Sequence, residues 1–139
     1  MSISSGSKRN IHRKQEVREF YEEAQRWQSE LDFWKVELVF FKRLLDIYGL
    51  KITDRKDKLI VADLQEKIDF FIHEEIADYK REIGSHVNFL KDLSENKIKI
   101  EDTAYEDKHQ QNIRLIASCK REFFKLKNEL YTYTEKLKQ

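Results

Sequence analysis

The chain has 139 residues, no proline and only three glycines, and 38% of its residues are charged. A β-rich or loop-rich domain normally needs more turn-forming residues, and a disordered chain normally has fewer aromatic residues than the 12% present here. Because 27 basic residues balance 26 acidic ones, the charge gives no reason to expect nucleic acid or an anionic membrane as a partner.

The first predicted helix covers residues 11–48, after a small, polar segment at 1–10 that predicts a disordered tail. Its apolar residues recur in alternating steps of three and four, the spacing of a coiled coil or a long bundle helix. These residues are Val17, Phe20, Ala24, Trp27, Leu31, Trp34, Leu38, Phe41, Leu45 and Tyr48. Gly49 is predicted to end the helix in a left-handed conformation, with Leu50 as the hydrophobic residue that packs against this cap.

A second apolar stripe lies on the C-terminal half of this helix. It consists of Phe33, Val36, Phe40, Leu44 and Ile47. One interpretation is that these residues fill the chain's own core on a second side of the helix. The other is that they stay open for a protein partner or a second copy, since large aromatic residues dominate interface anchors.

The second predicted helix covers residues 54–95, with Thr53 or Asp54 as its cap and Asn96 as its stop. Its core residues are Val61, Leu64, Ile68, Ile72, Ile76, Tyr79, Ile83, His86, Leu90 and Leu93. Successive steps of four near the start of this row predict local unwinding of a supercoil.

The third predicted helix covers residues 103–138 and begins with a capping box formed by Thr103 and Glu106. Its core residues are Tyr105, His109, Asn112, Ile116, Cys119, Phe123, Leu126, Leu130, Tyr133 and Leu137. A second row on this helix contains Phe124 and Tyr131. Matched helix lengths and short loops predict an all-α, antiparallel up-down-up bundle of three long helices with heptad-type packing, as a single domain over residues 11–139.

Cys119 is the only cysteine, so no disulfide forms within the chain, and a lone thiol fits a reducing compartment. Its place on the core row predicts a buried, unreactive thiol. Neither a signal peptide nor a membrane-spanning run is evident in the sequence. These observations favour a cytoplasmic protein.

A metal site is the sharpest chemical hypothesis that the sequence supports. Helical bundles hold divalent metals with inward-facing Glu and His, often in Glu-x-x-His pairs. Glu106 and His109 form one such pair, and folding the last two helices together brings His86 within about one turn of His109. The alternative is a polar layer that fixes register or is solvated where the bundle end opens, because one Glu-x-x-His pair on three helices is less than such sites usually have. No cofactor is expected.

The run Trp27-x-x-x-Leu31-x-Phe33-x-x-x-Glu37-Leu38-x-x-Phe41 resembles the first helix of a group of small, uncharacterised bacterial long-helix proteins. The other helices resemble that group only in pattern. The resemblance implies a helical hairpin or bundle, and it carries no activity and no functional residues.

The sequence therefore predicts a non-catalytic protein-interaction or assembly module, with Phe33, Val36 and Phe40 as partner-binding residues. Its partner is either another protein or a second copy, which would give a homodimer. The alternative function is a divalent-metal-binding bundle with His86, His109 and Glu106 as ligands.

Overall fold

The computed structural model describes residues 5–99 and 104–138, with side chains described for 11–99 and 104–136. The described residues form helices and no strands: α1 (Ser5–Gly49), α2 (Arg55–Phe70), a π-helical segment (Phe71–Ile76), α3 (Ala77–Ser94) and α4 (Ala104–Lys138). Because α2, the π-helical segment and α3 follow one another without a break, the described part of the chain forms three long helices. The predicted all-α fold is confirmed.

The two ends of α1 differ from the prediction. The helix begins at Ser5, so residues 5–10 of the predicted disordered tail are helical, and residues 1–4 lie outside the described residues. Extension of an existing helix adds one hydrogen bond per residue, so even a polar segment continues it. At the other end, Gly49 has no positive φ and Leu50 is 89% exposed, so the predicted left-handed cap is wrong. Tight turns close this end instead, with Lys51 N–H donating to Tyr48 O at 3.0 Å.

The loop ends of α2 and α3 follow the prediction. Asp54 caps α2, because its carboxylate accepts from Lys56 N–H at 3.0 Å. After α3, Asn96 has φ of 61°, and Lys97 N–H donates to Asp92 O at 2.9 Å. This left-handed residue and the bond from Lys97 back to the last turn end the helix as a Schellman motif. The predicted capping residue Thr103 lies outside the described residues.

Contacts between α1 and the second long helix show that they run antiparallel. Lys42 Nζ lies 2.7 Å from Asp69 Oδ1, and Lys80 Nζ lies 2.6 Å from Asp32 Oδ1. Residues late in α1 therefore meet residues early in the second helix. The Lys80–Asp32 pair is exposed and the Lys42–Asp69 pair is half-buried, and ion pairs this open to solvent contribute little stability.

Contacts between α1 and α4 show that these two helices run parallel. Tyr105 Oη donates to Glu16 Oε1 at 2.7 Å near the start of both helices, and Lys127 Nζ lies 3.1 Å from Glu37 Oε1 further along. Together with the antiparallel pair, this gives the predicted up-down-up order.

The core consists of the predicted rows of apolar residues. All predicted core positions with described side chains are buried, except Phe20, Tyr48 and Tyr79, which are half-buried. Leu137 lies outside the described side chains. Phe71, Val87 and Thr134 are also buried, although the rows did not include them. Burial of these side chains is the main stabilising term of the fold, at about 25 cal/mol per Å² of apolar area.

The π-helical segment has a cause in the spacing of the core row. Leu64, Ile68, Ile72 and Ile76 follow one another in steps of four, and each such step overshoots a turn of α-helix by about 40°. A π turn, with its i→i+5 bonds, is wider and takes up part of that rotation. Ile72 and Ile76 therefore both stay in the core, where Phe71 joins them.

Candidate functional site

The second apolar stripe of α1 is open to solvent. Phe33 is 60% exposed, Val36 is 66% exposed and Phe40 is 59% exposed. Ile47 is also exposed, and Leu44 is half-buried. We call these five residues the α1 stripe. Leu44 packs partly against the core, whereas Phe33, Val36, Phe40 and Ile47 are exposed among the described residues. The structure therefore does not support the interpretation that the stripe fills this chain's own core.

The α1 stripe continues onto the neighbouring surface of α4. Phe124 and Tyr131 are each more than two-fifths exposed there. The edge of Phe41 meets the Tyr131 ring at 5.0 Å between centroids, and Phe40 lies 6.1 Å from Phe41. The buried Phe41 thus links the exposed Phe40 ring of α1 to the exposed Tyr131 ring of α4. We call the α1 stripe together with Phe124 and Tyr131 the α1/α4 patch.

An ion pair lies on the boundary between the two halves of this patch. Lys127 Nζ is 3.1 Å from Glu37 Oε1, and both side chains are largely buried. The same ammonium lies 5.7 Å from the centroid of the Phe124 ring and 5.8 Å from that of Tyr131. Cation–π attraction of this kind holds the rings in place and leaves their outer faces for another surface.

The predicted metal layer contains two buried histidines in direct contact. His86 on α3 and His109 on α4 are almost fully buried, and His86 Nε2 lies 2.8 Å from His109 Nδ1. The antiparallel hairpin brings them to one level, as the sequence predicted. A hydrogen bond between these two nitrogens points each of them at the other rather than at a shared ion.

Two aromatic rings of α1 hold His109 in position. The imidazole stacks on Phe20 with centroids 3.8 Å apart and on Trp27 with centroids 4.9 Å apart. Phe20 and Trp27 are seven residues apart on the same face of α1, so the imidazole inserts between them. We call these two rings and the two histidines the histidine layer.

Burial controls the protonation of the histidine layer. Burial, followed by the neighbouring His109 and then Lys108, lowers the pKa of His86 to about 4. Burial also lowers the pKa of His109, against the opposing effect of the Glu23 carboxylate 3.4 Å from His109 Nε2. Both imidazoles are therefore neutral at neutral pH.

Three polar atoms of this region lack a hydrogen-bond partner among the described residues. They are His86 Nδ1, His109 Nε2 and Asn112 Oδ1. The Glu23 carboxylate is close to His109 Nε2, but the two groups are not aligned as a hydrogen bond. Buried polar atoms without partners cost stability, so the layer is a locally unfavourable part of the core.

Glu106, the third predicted ligand, has its hydrogen-bond partners outside the histidine pair. Its carboxylate is 3.3 Å from Tyr105 Oη, which also donates to Glu16 at 2.7 Å. A hydrogen bond with Glu16 and then burial raise the pKa of Glu106. Within the described residues, no group of three or more His, Cys, Asp or Glu side chains is placed to hold a metal ion. The metal site at His86, His109 and Glu106 stays a prediction.

Cys119 lies in the core. Its side chain is fully buried, and burial, followed by the charges of Glu75 and Glu122, raises the pKa of its thiol to about 12. A thiol in this state is protonated and unreactive at neutral pH. The predicted burial of this thiol is confirmed, and its lack of reactivity stays a prediction.

A groove between α2 and α4 was not singled out from the sequence. It has a volume of about 480 Å³ and lies beside the π-helical segment. Phe70, Phe71 and Leu126 line it, and charged residues surround them. Phe70 is 57% exposed, about as much as Phe33 and Phe40. Because the groove lies on the opposite side of α4 from the α1/α4 patch, Phe70 is a suitable position for control substitutions.

Comparison with known proteins returned no matching family model, no matching curated protein and no matching solved structure. The resemblance to bacterial long-helix proteins is therefore untested. None of the described helices is both long and apolar enough to cross a membrane.

Proposed function

We propose that this protein is a helical-bundle assembly module that associates with a second copy of itself and catalyses no reaction. The observation that carries the proposal is the exposure of Phe33, Val36 and Phe40, each about three-fifths open on one face of α1. The cytoplasm is the compartment we assign to it, because its single cysteine needs no oxidising environment.

The physical argument concerns the arrangement of these residues rather than their number. Single exposed apolar side chains are common on protein surfaces. Contiguous apolar patches are less common and mark interaction sites. The α1 stripe has the regular spacing of a helix-packing surface, and Phe124 and Tyr131 extend it across the boundary with α4. Covering this patch removes apolar area from water and favours association.

The test is the mass of the protein in solution, measured by light scattering coupled to size exclusion. We expect the unmodified chain to elute at about twice its monomer mass of 16.9 kDa. The double variant F33S/F40S should elute as a monomer with the same helical circular dichroism, because both side chains lie outside the core.

The matched control is L59S/F70S, which removes two similarly exposed apolar side chains from α2. This variant should keep the mass of the unmodified chain. The proposal fails if the unmodified chain is a monomer, or if F33S/F40S keeps the dimer mass. Loss of helical structure in F33S/F40S would also contradict it, because that result would place both rings in the core.

A further inference from the structure

We infer that two copies pair through their α1 helices in antiparallel orientation, about a twofold axis that passes beside Phe40. This inference rests on the proposed function and adds the geometry of the assembly. It identifies which side chain of one copy meets which side chain of the other.

The spacing of the α1 stripe is symmetric about Phe40. Val36 and Leu44 lie four residues on either side of it, and Phe33 and Ile47 lie seven residues on either side. In a twofold antiparallel pair, a residue at a given distance before the axis meets the residue at the same distance after it. Every layer of this pair is therefore apolar, with the two Phe40 rings meeting at the centre.

The N-terminal continuation of the same face argues against a parallel pair. Glu22, Arg26 and Ser29 follow the line of the stripe towards the start of α1, and all three are exposed. A parallel pair would place each of them opposite its own copy, so that like charges would meet. In the antiparallel pair the partner's α1 ends at Gly49, which lies level with Leu31. That level is five residues short of Arg26 and nine short of Glu22, so the partner's α1 covers neither of them.

The aromatic residues of α4 favour the same orientation. Phe124 and Tyr131 lie on one flank of the α1 stripe only. An antiparallel twofold pair brings this flank of one copy against the same flank of the other, whereas a parallel pair separates the two flanks. At roughly half exposure each ring leaves ~100 Å² open, so stripe and flank together give on the order of 600 Å² per copy, near the ~800 Å² of a standard interface.

The experiment measures distances between spin labels in the full-length protein by pulsed dipolar spectroscopy. One nitroxide is attached at a time, in the variants S29C and R43C, and the unmodified chain reports any labelling of the buried Cys119. Ser29 lies eleven residues from Phe40, so the antiparallel pair separates the two labels by ~33 Å along the helix axis. Arg43 lies three residues from Phe40, so its labels lie only ~9 Å apart along that axis.

A long distance for S29C together with a short one for R43C supports the inference. Short distances for both variants would mean a parallel pair, and long distances for both would mean an interface elsewhere, so either result overturns the inference while the dimer itself stands. A monomer mass with no dipolar signal overturns the proposed function as well.

Discussion

In the histidine layer, the position of each histidine could be predicted from the sequence, but the contact between the two rings could not. The positions of His86 and His109 on their rows were enough to predict that they lie at one level. They left open whether the layer is solvated, and the structure buries both rings. The hydrogen bond between His86 Nε2 and His109 Nδ1 could not be predicted from the sequence, because it depends on the rotamers of both rings. The stacking of His109 on Phe20 and Trp27 selects those rotamers, and it involves a third helix.

Acid should destabilise the protein through His86. The pKa of His86 is about 4 in the fold and about 6.5 in the unfolded chain. As the pH falls below about 6.5, the unfolded chain takes up a proton that the folded chain does not, so folding loses stability. We expect the free energy of unfolding in urea to fall by about 2 kcal/mol between about pH 7 and about pH 5 from this group.

The variant H86F keeps a ring in the layer and removes the proton site. It should show a smaller acid loss than the unmodified chain, whereas H73F, which alters an exposed histidine, should show the full loss. An acid loss in H86F equal to that of the unmodified chain would contradict the role of His86.

At the scale of the helices, boundaries were predictable where one side chain decides the local conformation. Asp54 and Asn96 are in that class, because a carboxylate caps free N–H groups and asparagine tolerates positive φ. Gly49 was misleading, since glycine permits a left-handed end without requiring it. Successive four-residue steps between core residues indicated an irregularity near the π-helical segment. The sequence pattern does not, however, distinguish a wider turn from a local change of supercoil.

Asn96 should be replaceable by glycine but not by alanine. Its φ of 61° costs an alanine side chain roughly 1 kcal/mol, whereas glycine adopts this conformation freely. We expect N96A to lower the free energy of unfolding by about 1 kcal/mol and N96G to keep or raise it. Urea titrations followed by circular dichroism measure both. Equal stability of the two variants would mean that the left-handed end of α3 contributes nothing.

At the scale of the whole molecule, the order of the helices followed from their lengths and short loops, and contacts such as Lys42–Asp69 and Lys127–Glu37 agree with it. The exposure of the α1 stripe could not be predicted from the sequence. A helix in a three-helix bundle has neighbours on two sides, and periodicity alone does not tell whether a second stripe faces a neighbour or solvent. In the fold, the main row of α1 faces both neighbours, and the stripe is left on its outer side.

Self-association of the open stripe should make thermal stability depend on protein concentration. A partner that binds only the folded chain stabilises it by mass action, by about 2.7 kcal/mol at a hundred times the dissociation constant. Because about 1 kcal/mol shifts the unfolding midpoint of a domain of this size by roughly 2–4 °C, a hundred-fold rise in concentration should raise it by several degrees. The measurement is differential scanning calorimetry over that concentration range.

The single variants F40S and F70S separate association from ordinary surface effects, because both remove an exposed phenylalanine. The midpoint of F40S should be independent of concentration, since the ring at the proposed twofold axis is gone. The midpoint of F70S should rise with concentration as in the unmodified chain. If the unfolding midpoint of F40S depends on concentration as strongly as that of the unmodified chain, the copies associate through a surface other than the α1 stripe. Phe33, Val36 and Phe40 would then be the binding surface for a different partner.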